Sequence, residues 1–228
     1  MPCIILTKQQ TVPQDFKSLS IEAGIPIFRS PFRTARVASQ VTIYIEEANA
    51  PKSSIHATLV DVYGVGTLLL GKSGVGKSEC ALELVERGHR LVADDIVEIR
   101  LENRVLMGHS NEVLHHHMEI RGLGIIDVRA IFGVGSVRNS KRITLAVTLE
   151  HWEKEGDYER LGLEDRVYEI LGVKIPHLII PVRPGRNIPI LVETAALTQR
   201  LSNMGGHPAK EFNKRLIQFM KPSTKEAD

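Results

Sequence analysis

The sequence predicts an α/β protein with a strand-rich centre followed by C-terminal helices. Three observations support this fold class. Short apolar runs rich in valine and isoleucine recur between residues 56 and 182, as in buried β-strands. A glycine-rich loop interrupts this region between a predicted strand and a predicted helix. Apolar residues at helical spacing then dominate residues 194–220.

The composition excludes several classes of protein. With 43% hydrophobic and 25% charged residues, the 228-residue chain is typical of a globular protein. Its 29 basic and 27 acidic residues are too balanced to indicate nucleic-acid binding. Two cysteines provide no disulfide framework, no signal peptide is recognisable, and no window reaches about 18 uninterrupted apolar residues. We therefore expect a cytoplasmic protein that binds neither nucleic acid nor membrane.

The first fifty residues predict two strands and two helices, at residues 3–6, 16–23, 25–28 and 34–45. These elements are few for an independent hydrophobic core. A polar segment with a proline follows at residues 46–54. We place a domain boundary there, between residues 1–50 and residues 51–228.

The second part of the chain alternates strands with loops and ends in helices. Predicted strands lie at residues 56–63, 67–70, 90–93, 96–101, 143–149, 167–170 and 177–182. A helix bearing Ala81, Leu84 and Val85 ends at Gly88, and two further helices are predicted at 194–204 and 208–220.

The glycine-rich loop predicts a phosphate site. It consists of Gly71, Lys72, Ser73, Gly74, Val75, Gly76, Lys77 and Ser78, and it matches the pattern G-x-x-x-x-G-K-[ST] between a strand and a helix. Glycines allow backbone N–H groups to surround phosphate oxygens, and the helix N-terminus adds partial positive charge. Lys77 suits the terminal phosphates of ATP, and the Ser78 hydroxyl suits Mg²⁺.

An acidic pair follows the loop unusually early. Asp94 and Asp95 end a predicted strand 17 and 18 residues after Lys77, so a strand–loop–helix–strand unit returns both carboxylates to the loop. In phosphoryl transfer, one carboxylate organises magnesium and another accepts the proton of the attacking hydroxyl. A polar turn at the end of a strand is the alternative interpretation.

Histidines give weaker signals. His56 begins the apolar run that leads into the loop, although a histidine at such a position is more often packed or exposed than functional. His115, His116 and His117 are consecutive, so their side chains point apart and lack the spacing of metal ligands. We therefore favour a packing or solvated role for these three.

Two further segments combine charge with glycine. Residues 118–127 contain Glu119, a candidate metal ligand, and Arg121, a candidate phosphate contact. Residues 182–187 place Arg183 and Arg186 on either side of a Pro-Gly turn, as in an anion-binding loop. Basic turns are usually only solvated, so this last signal is weak by itself.

Four motifs in a fixed order resemble the bacterial HPr kinase/phosphorylase family: GKSGVGKSE, GHRLVADD, MEIRGLGIIDVR and VRPGRN. The resemblance covers residues 55–220. It implies a catalytic domain similar to phosphoenolpyruvate carboxykinase, with strand-rich mixed sheets. It also implies that residues 1–50 are the C-terminal remnant of a larger N-terminal α/β domain, and that the protein is a homohexamer.

The resemblance implies a bifunctional enzyme. Such an enzyme phosphorylates a serine of the phosphocarrier protein HPr with ATP or pyrophosphate, using Mg²⁺. It also dephosphorylates phosphoserine HPr by attack of inorganic phosphate, which releases pyrophosphate. A small-molecule kinase with the same loop and a nucleotide-binding regulatory module without catalysis are the competing interpretations.

Site residues follow from the same resemblance. His56, Lys77, Asp95 and Arg160 match the catalytic residues, and Ser78 and Glu119 match the magnesium ligands. The segment 118–127 is tied to both directions of the reaction, and 182–187 chiefly to dephosphorylation. The sequence departs from the family at Lys72, where an acidic residue is common.

Overall fold

The computed structural model describes residues 2–111, 114–152, 166–206 and 208–220. The chain divides into two compact units, Met1–Ala50 and Pro51–Asp228. The first unit contains two strands and two helices: β1 (Ile4–Leu6), α1 (Gln14–Glu22), β2 (Ile27–Arg29) and α2 (Thr34–Asn49). The four elements predicted for this part are therefore confirmed, with bounds that shift by a few residues.

The first unit buries little apolar surface. Its two strands pair in parallel, with Ile4 opposite Ile27. No residue of α1 is buried. Phe28 on β2 and Tyr44 on α2 are both exposed. None of the described residues of this unit is buried, which agrees with the expectation that its few elements offer little for an independent core.

The second unit contains most of the strands. Its elements are β3 (Lys52–His56), β4 (Thr58–Val62), β5 (Val65–Leu70), α3 (Lys77–Glu86), β6 (Arg90–Ala93), β7 (Ile96–Glu102), β8 (Val105–Ser110), β9 (His117–Ile120), β10 (Gly124–Asp127), α4 (Val128–Phe132), a short 3-10 helix (Val134–Ser136), β11 (Ser140–His151), β12 (Val167–Ile170), β13 (Val173–Val182), α5 (Ile188–Asn203) and α6 (Pro208–Met220). The predicted mixed α/β class with strand-rich sheets is confirmed.

One large sheet organises this unit. Its strand order is β3-β7-β8-β11-β5-β4-β6, and β13 joins it beside β11 with β12 on its other side. Strand β11 connects two regions, because its first residues pair with β8 antiparallel and its later residues pair with β5 and β13 in parallel. Strands β9 and β10 form a separate antiparallel hairpin.

Strand direction determines which loops meet. Strands β5, β11 and β13 are parallel, and β6 runs with them because β4 is antiparallel to both β5 and β6. The carboxyl ends of these four strands and the amino end of β4 therefore lie at one edge of the sheet. Ligands of α/β proteins bind at such an edge.

Two apolar cores cover the two faces of the sheet. Leu69 lies in the core that includes Leu84 of α3 and Val192 of α5. Leu68, the neighbour of Leu69, points to the opposite core with Val97. All six residues of β5 are buried, as expected for a strand that is covered on both faces. Each buried leucine contributes roughly 1.5–3 kcal/mol to folding.

Several elements differ from the prediction. Helix α5 begins at Ile188, six residues before the predicted start, with the Asn187 side chain accepting a hydrogen bond from the Ile190 N–H. Strands β3, β8, β9 and β10 and helix α4 were not predicted. Strand β3 has the polar sequence KSSIH and alternates between exposed and half-buried residues, so it lacks an apolar run. In the described residues, no helix is long and apolar enough to cross a membrane.

Candidate active site

The phosphate loop joins β5 to α3 at the edge where the parallel strands end. Gly71 has φ +140°, and a Cβ at this position would lie 2.4 Å from the Leu149 carbonyl oxygen of β11. Gly74 has φ +81°, and a Cβ there would lie 2.8 Å from an Arg121 guanidinium nitrogen. Both positions favour glycine because of their positive φ. At Gly71 a side chain would also collide with backbone, whereas at Gly74 the flexible Arg121 side chain can move aside.

Lys77 is the first residue of α3, and its side chain folds back over the loop. Its Nζ donates hydrogen bonds to the carbonyl oxygens of Gly71 at 3.1 Å and Lys72 at 3.3 Å. The same nitrogen lies 3.4 Å from Nε2 of His56. Lys77 is only 7% exposed, so its charge is held at the loop.

His56 connects Lys77 to Asp95. Its Nδ1 lies 3.0 Å from Asp95 Oδ1. An ammonium group can only donate, so Nε2 of His56 is the acceptor from Lys77. We therefore assign the neutral tautomer with hydrogen on Nδ1, which donates to the Asp95 carboxylate. Lys77, His56 and Asp95 form one connected chain of polar groups.

Asp95 has an uncommon backbone conformation. Its φ is +66°, and the Ile96 N–H donates to the Asp94 carbonyl at 2.8 Å, which closes a three-residue turn around Asp95. A second hydrogen bond, from the Ala57 N–H to the Asp95 carbonyl, holds this turn against the start of β4. Such a backbone costs roughly 1–3 kcal/mol and is typical of functional sites. The turn leaves the Asp95 side chain 53% exposed.

Asp94 has the opposite environment, since it is only 4% exposed. Its Oδ1 accepts hydrogen bonds from Thr58 Oγ1 at 2.7 Å and Ser78 Oγ at 3.1 Å. Its Oδ2 is buried and has no hydrogen-bond partner among the described residues. Burial raises the pKa of Asp94 and the charge of Asp95 adds to this, while hydrogen bonds from Thr58, Ser78 and the Asp95 N–H limit the rise.

The β9–β10 hairpin brings Arg121 to the phosphate loop, where its guanidinium lies 3.5 Å from Ser73 Oγ. Met118 and Ile120 of the same hairpin are buried in the core that includes α3, which fixes the hairpin against the loop's helix. Glu119 lies between them, is exposed, and makes no hydrogen bond or ion pair with the described residues. The structure therefore does not bring Glu119 into contact with Ser78.

The 182–187 segment follows β13 at the same edge of the sheet. The Trp152 N–H, just after β11, donates to the Val182 carbonyl at 2.9 Å. The Arg183 guanidinium lies over the Trp152 ring, 5.1 Å from its centre, and Arg186 donates to the Pro181 carbonyl at 3.2 Å. Two arginines are thus held near the carboxyl ends of β11 and β13.

The structure joins most of the site residues predicted from the sequence. His56, Lys77, Ser78 and the acidic pair are linked by hydrogen bonds, whereas Arg160 lies outside the described residues. Sequence reasoning missed Thr58, which bonds to Asp94. The only available signal was a hydroxyl residue within an apolar strand, two positions after His56.

Family models match nearly the whole chain. The model described as "HPr Serine kinase C-terminal domain" matches residues 47–216. The model described as "HPr Serine kinase N terminus" matches residues 1–45. The two matches meet close to the division between the two compact units.

Individual proteins agree with these models. The chain is 51% identical to an HPr kinase/phosphorylase of Leptospira biflexa, over 99% of this chain and 71% of the relative. It is 49% identical to an HPr kinase/phosphorylase of Bacillus subtilis, over 99% of this chain and 73% of the relative. A solved Hpr(Ser) kinase/phosphatase of Coxiella burnetii superposes with a TM-score of 0.63 at 33% identity, covering 75% of this chain and 99% of that one. The resemblance drawn from the four motifs is confirmed, and the chain belongs to the HPr serine kinase family.

Proposed function

We propose that this chain is a protein-serine kinase and phosphorylase that acts on HPr. It transfers a phosphoryl group from ATP or pyrophosphate to a seryl hydroxyl. In the reverse direction, inorganic phosphate attacks phosphoserine HPr and pyrophosphate is released. The names of the relatives, "HPr kinase/phosphorylase", support this substrate. The catalytic role of Arg160 and assembly into a cytoplasmic homohexamer are parts of the proposal that rest on the family resemblance alone.

The observation that carries the proposal is the connected chain of Lys77, His56 and Asp95 beside the phosphate loop. In the kinase direction, the Asp95 carboxylate takes the proton of the seryl hydroxyl as its oxygen attacks the terminal phosphorus of the donor. The bond from that phosphorus to its bridging oxygen breaks, and ADP or phosphate leaves. The Nδ1–H of His56 holds Asp95 in place and leaves its second oxygen for the substrate.

The reverse reaction uses the same acid. An oxygen of inorganic phosphate attacks the phosphorus of phosphoserine, the bond from phosphorus to the seryl oxygen breaks, and protonated Asp95 returns its proton to that oxygen. Serine and pyrophosphate are the products. Because Asp95 is 53% exposed at the sheet edge, a seryl side chain of another protein can reach it. The loop holds the donor phosphates in both directions.

A divalent cation fits the oxygens near the loop. The Ser78 hydroxyl and the buried, unpartnered Oδ2 of Asp94 are hard ligands of the kind that Mg²⁺ prefers. We propose these two residues as the protein's side of a magnesium site, with Glu119 as a further ligand from the β9–β10 hairpin. A bound cation would supply positive charge beside the donor phosphates. Thr58 and Ser78 hold the Asp94 carboxylate by hydrogen bonds to its Oδ1 and leave Oδ2 without a partner among the described residues.

The same structure suggests a role for Arg121 and the two later arginines. Arg121 lies against Ser73 of the loop and is placed to contact a donor phosphate. Arg183 and Arg186 lie at the adjacent strand ends. We propose that they bind the incoming inorganic phosphate of the reverse reaction. Residues 51–228 hold all of these groups, and we assign catalysis to that unit.

One experiment tests the function directly. Purified protein is incubated with HPr and with ATP or pyrophosphate, and HPr phosphorylation is measured by mass spectrometry. Addition of inorganic phosphate to the phosphorylated product then measures pyrophosphate release. We expect phosphorylation at serine and its reversal. An HPr with its acceptor serine replaced by alanine is the matched control. Phosphorylation of small molecules but not HPr would overturn the proposal, as would nucleotide binding without any transfer.

A further inference from the structure

A polar cleft of about 580 Å³ lies on the second unit, outside the candidate active site. It is lined by side chains of β7, β8 and the segments beside them, among which Glu98, Arg100, His109, His115 and Asn139 are the most polar. Its volume is in the range of small-molecule sites. None of these residues has a part in the proposed reaction.

Two nitrogen atoms in the lining are buried without a hydrogen-bond partner among the described residues, Arg100 Nε and His109 Nε2. The nearest carboxylates do not satisfy them. Glu98 Oε2 lies 3.8 Å from the terminal NH2 of Arg100, and Glu102 Oε1 lies 3.4 Å from His109 Nε2 without a hydrogen bond. A buried donor that lacks a partner costs about 1–3 kcal/mol. Arg100 Nε, and His109 Nε2 when it carries a hydrogen, would therefore gain from an acceptor, and each side chain must turn toward the cleft to reach one there.

The charge of this sheet face also favours an anion. The strand register places Lys52 of β3 opposite Arg100 of β7. On the other side of Arg100 lies Met107 of β8, and Arg142 of β11 lies opposite Met107. Three cations thus share the face with the carboxylates of Glu98 and Glu102. Asn111 Nδ2 donates to Glu98 Oε1 at 3.1 Å, which holds this carboxylate in place without removing its charge. Three cations against two carboxylates leave this face with one more positive than negative charge.

We propose that this cleft binds a small oxyanion, held by the guanidinium of Arg100 and the imidazole of His109. A guanidinium fork suits the paired oxygens of a phosphate or carboxylate group. His115 lies at the cleft with its Nε2 bonded to Asn139 at 3.1 Å. The described residues offer no cluster of three metal-ligating side chains, so a cation is disfavoured. The inference is independent of the proposed reaction.

Isothermal titration calorimetry of the full chain at low ionic strength tests the proposal. The background carries Lys77→Ala together with Arg121→Gln, Arg183→Gln and Arg186→Gln, which removes the groups proposed to bind phosphate at the active site. The probes are inorganic phosphate and malonate. We expect one ion per chain, with affinity at least tenfold weaker after Arg100→Gln. The matched control is Arg142→Gln, which removes the same charge from the same face but does not line the cleft. The affinity of the Arg142→Gln variant for the ion should stay within about twofold of the affinity of the background protein.

The two probes identify the source of the oxyanion, since binding of phosphate alone indicates a phosphate group and binding of malonate alone indicates a carboxylate. Circular dichroism establishes that each variant is folded, and His109→Gln replaces Arg100→Gln if the latter is not. Absence of binding to this background protein would overturn the proposal. So would unchanged affinity in the cleft variant or an equal loss in Arg142→Gln. Kinase activity plays no part in any of these readouts.

Discussion

Thr58→Val tests how the buried carboxylate of Asp94 is kept ionised. The Thr58 hydroxyl donates to Asp94 Oδ1 at 2.7 Å. This is the shorter of the two hydrogen bonds that the Asp94 carboxylate accepts from side chains. A hydrogen bond to a charged group is worth about 1.5–3 kcal/mol. Since one pKa unit corresponds to about 1.4 kcal/mol, its loss should raise the pKa of Asp94 by about one to two units. That pKa is already raised by burial.

The assay is kcat/KM for HPr phosphorylation as a function of pH, which reports on groups of the free enzyme. Ionised Asp94 is needed for the proposed magnesium site, so activity is lost as pH falls through its pKa. We expect the acid limb of the Thr58→Val profile to move to higher pH by about one to two units. An acid limb at the wild-type pH would refute this reasoning, even if activity fell uniformly.

Thr67→Val is the matched control. Thr67 is fully buried in the neighbouring strand β5, and its hydroxyl donates to the Val65 carbonyl rather than to a carboxylate. The substitution makes the same change in shape and polarity without touching Asp94. Its acid limb should coincide with that of the wild type.

Three further substitutions have defined outcomes. Asp95→Asn should abolish both HPr phosphorylation and pyrophosphate release while ATP binding, measured by calorimetry, is retained. Asp94→Asn should lower activity but raise the melting temperature at pH 8 by about 2–4 °C, if removal of its buried charge stabilises the fold by about 1 kcal/mol. Glu193→Gln should lower the free energy of unfolding at neutral pH, measured with denaturant, because the buried Glu193 carboxylate accepts hydrogen bonds from Arg87 and His89. The loss should be about 1–2 kcal/mol, since the partly exposed Arg87 can be solvated in the variant.

The pH dependence of stability provides the controls. Asp94 has a raised pKa, so its ionisation costs stability as pH rises above about 4, and the Asp94→Asn advantage should vanish in acid. Hydrogen bonds from Arg87 lower the pKa of Glu193, so its contribution is lost as pH falls below about 4. Glu86→Gln, on the exposed face of α3, should change the free energy of unfolding little at any of these pH values. Retention of HPr phosphorylation or of pyrophosphate release by Asp95→Asn would contradict the first prediction. A stability effect of Asp94→Asn or Glu193→Gln that grows in acid would contradict the other two.

The phosphate loop was predictable because its chemistry is contiguous in the chain. The acidic pair followed from a short strand–loop–helix–strand unit that needs only local geometry. The contact of Thr58 with Asp94 and that of Arg121 with Ser73 join residues 36 and 48 positions apart. No local pattern encodes such pairings, since they depend on the order of strands in the sheet.

Strand type explains the remaining differences. The buried strands β5 and β6 were identified from continuous apolar runs. Strand β3 is polar, and β9 has the sequence HMEI, in which polar and apolar residues alternate, so neither contains such a run. Helix α5 was predicted to begin too late, although an asparagine cap and a proline in the first turn precede its apolar residues. The likeness to phosphoenolpyruvate carboxykinase and the homohexamer stay predictions.

The packing of Gly71 against Leu149 has a consequence for folding. The group that lies directly behind the phosphate loop is a backbone carbonyl almost eighty residues further along the chain. Parallel pairing of β5 with β11 requires a long loop to close, which makes such contacts slow to form. During synthesis the loop and its helix leave the ribosome long before strand β11 has been made. Competence to hold phosphate is therefore acquired late, only after the centre of the sheet is complete.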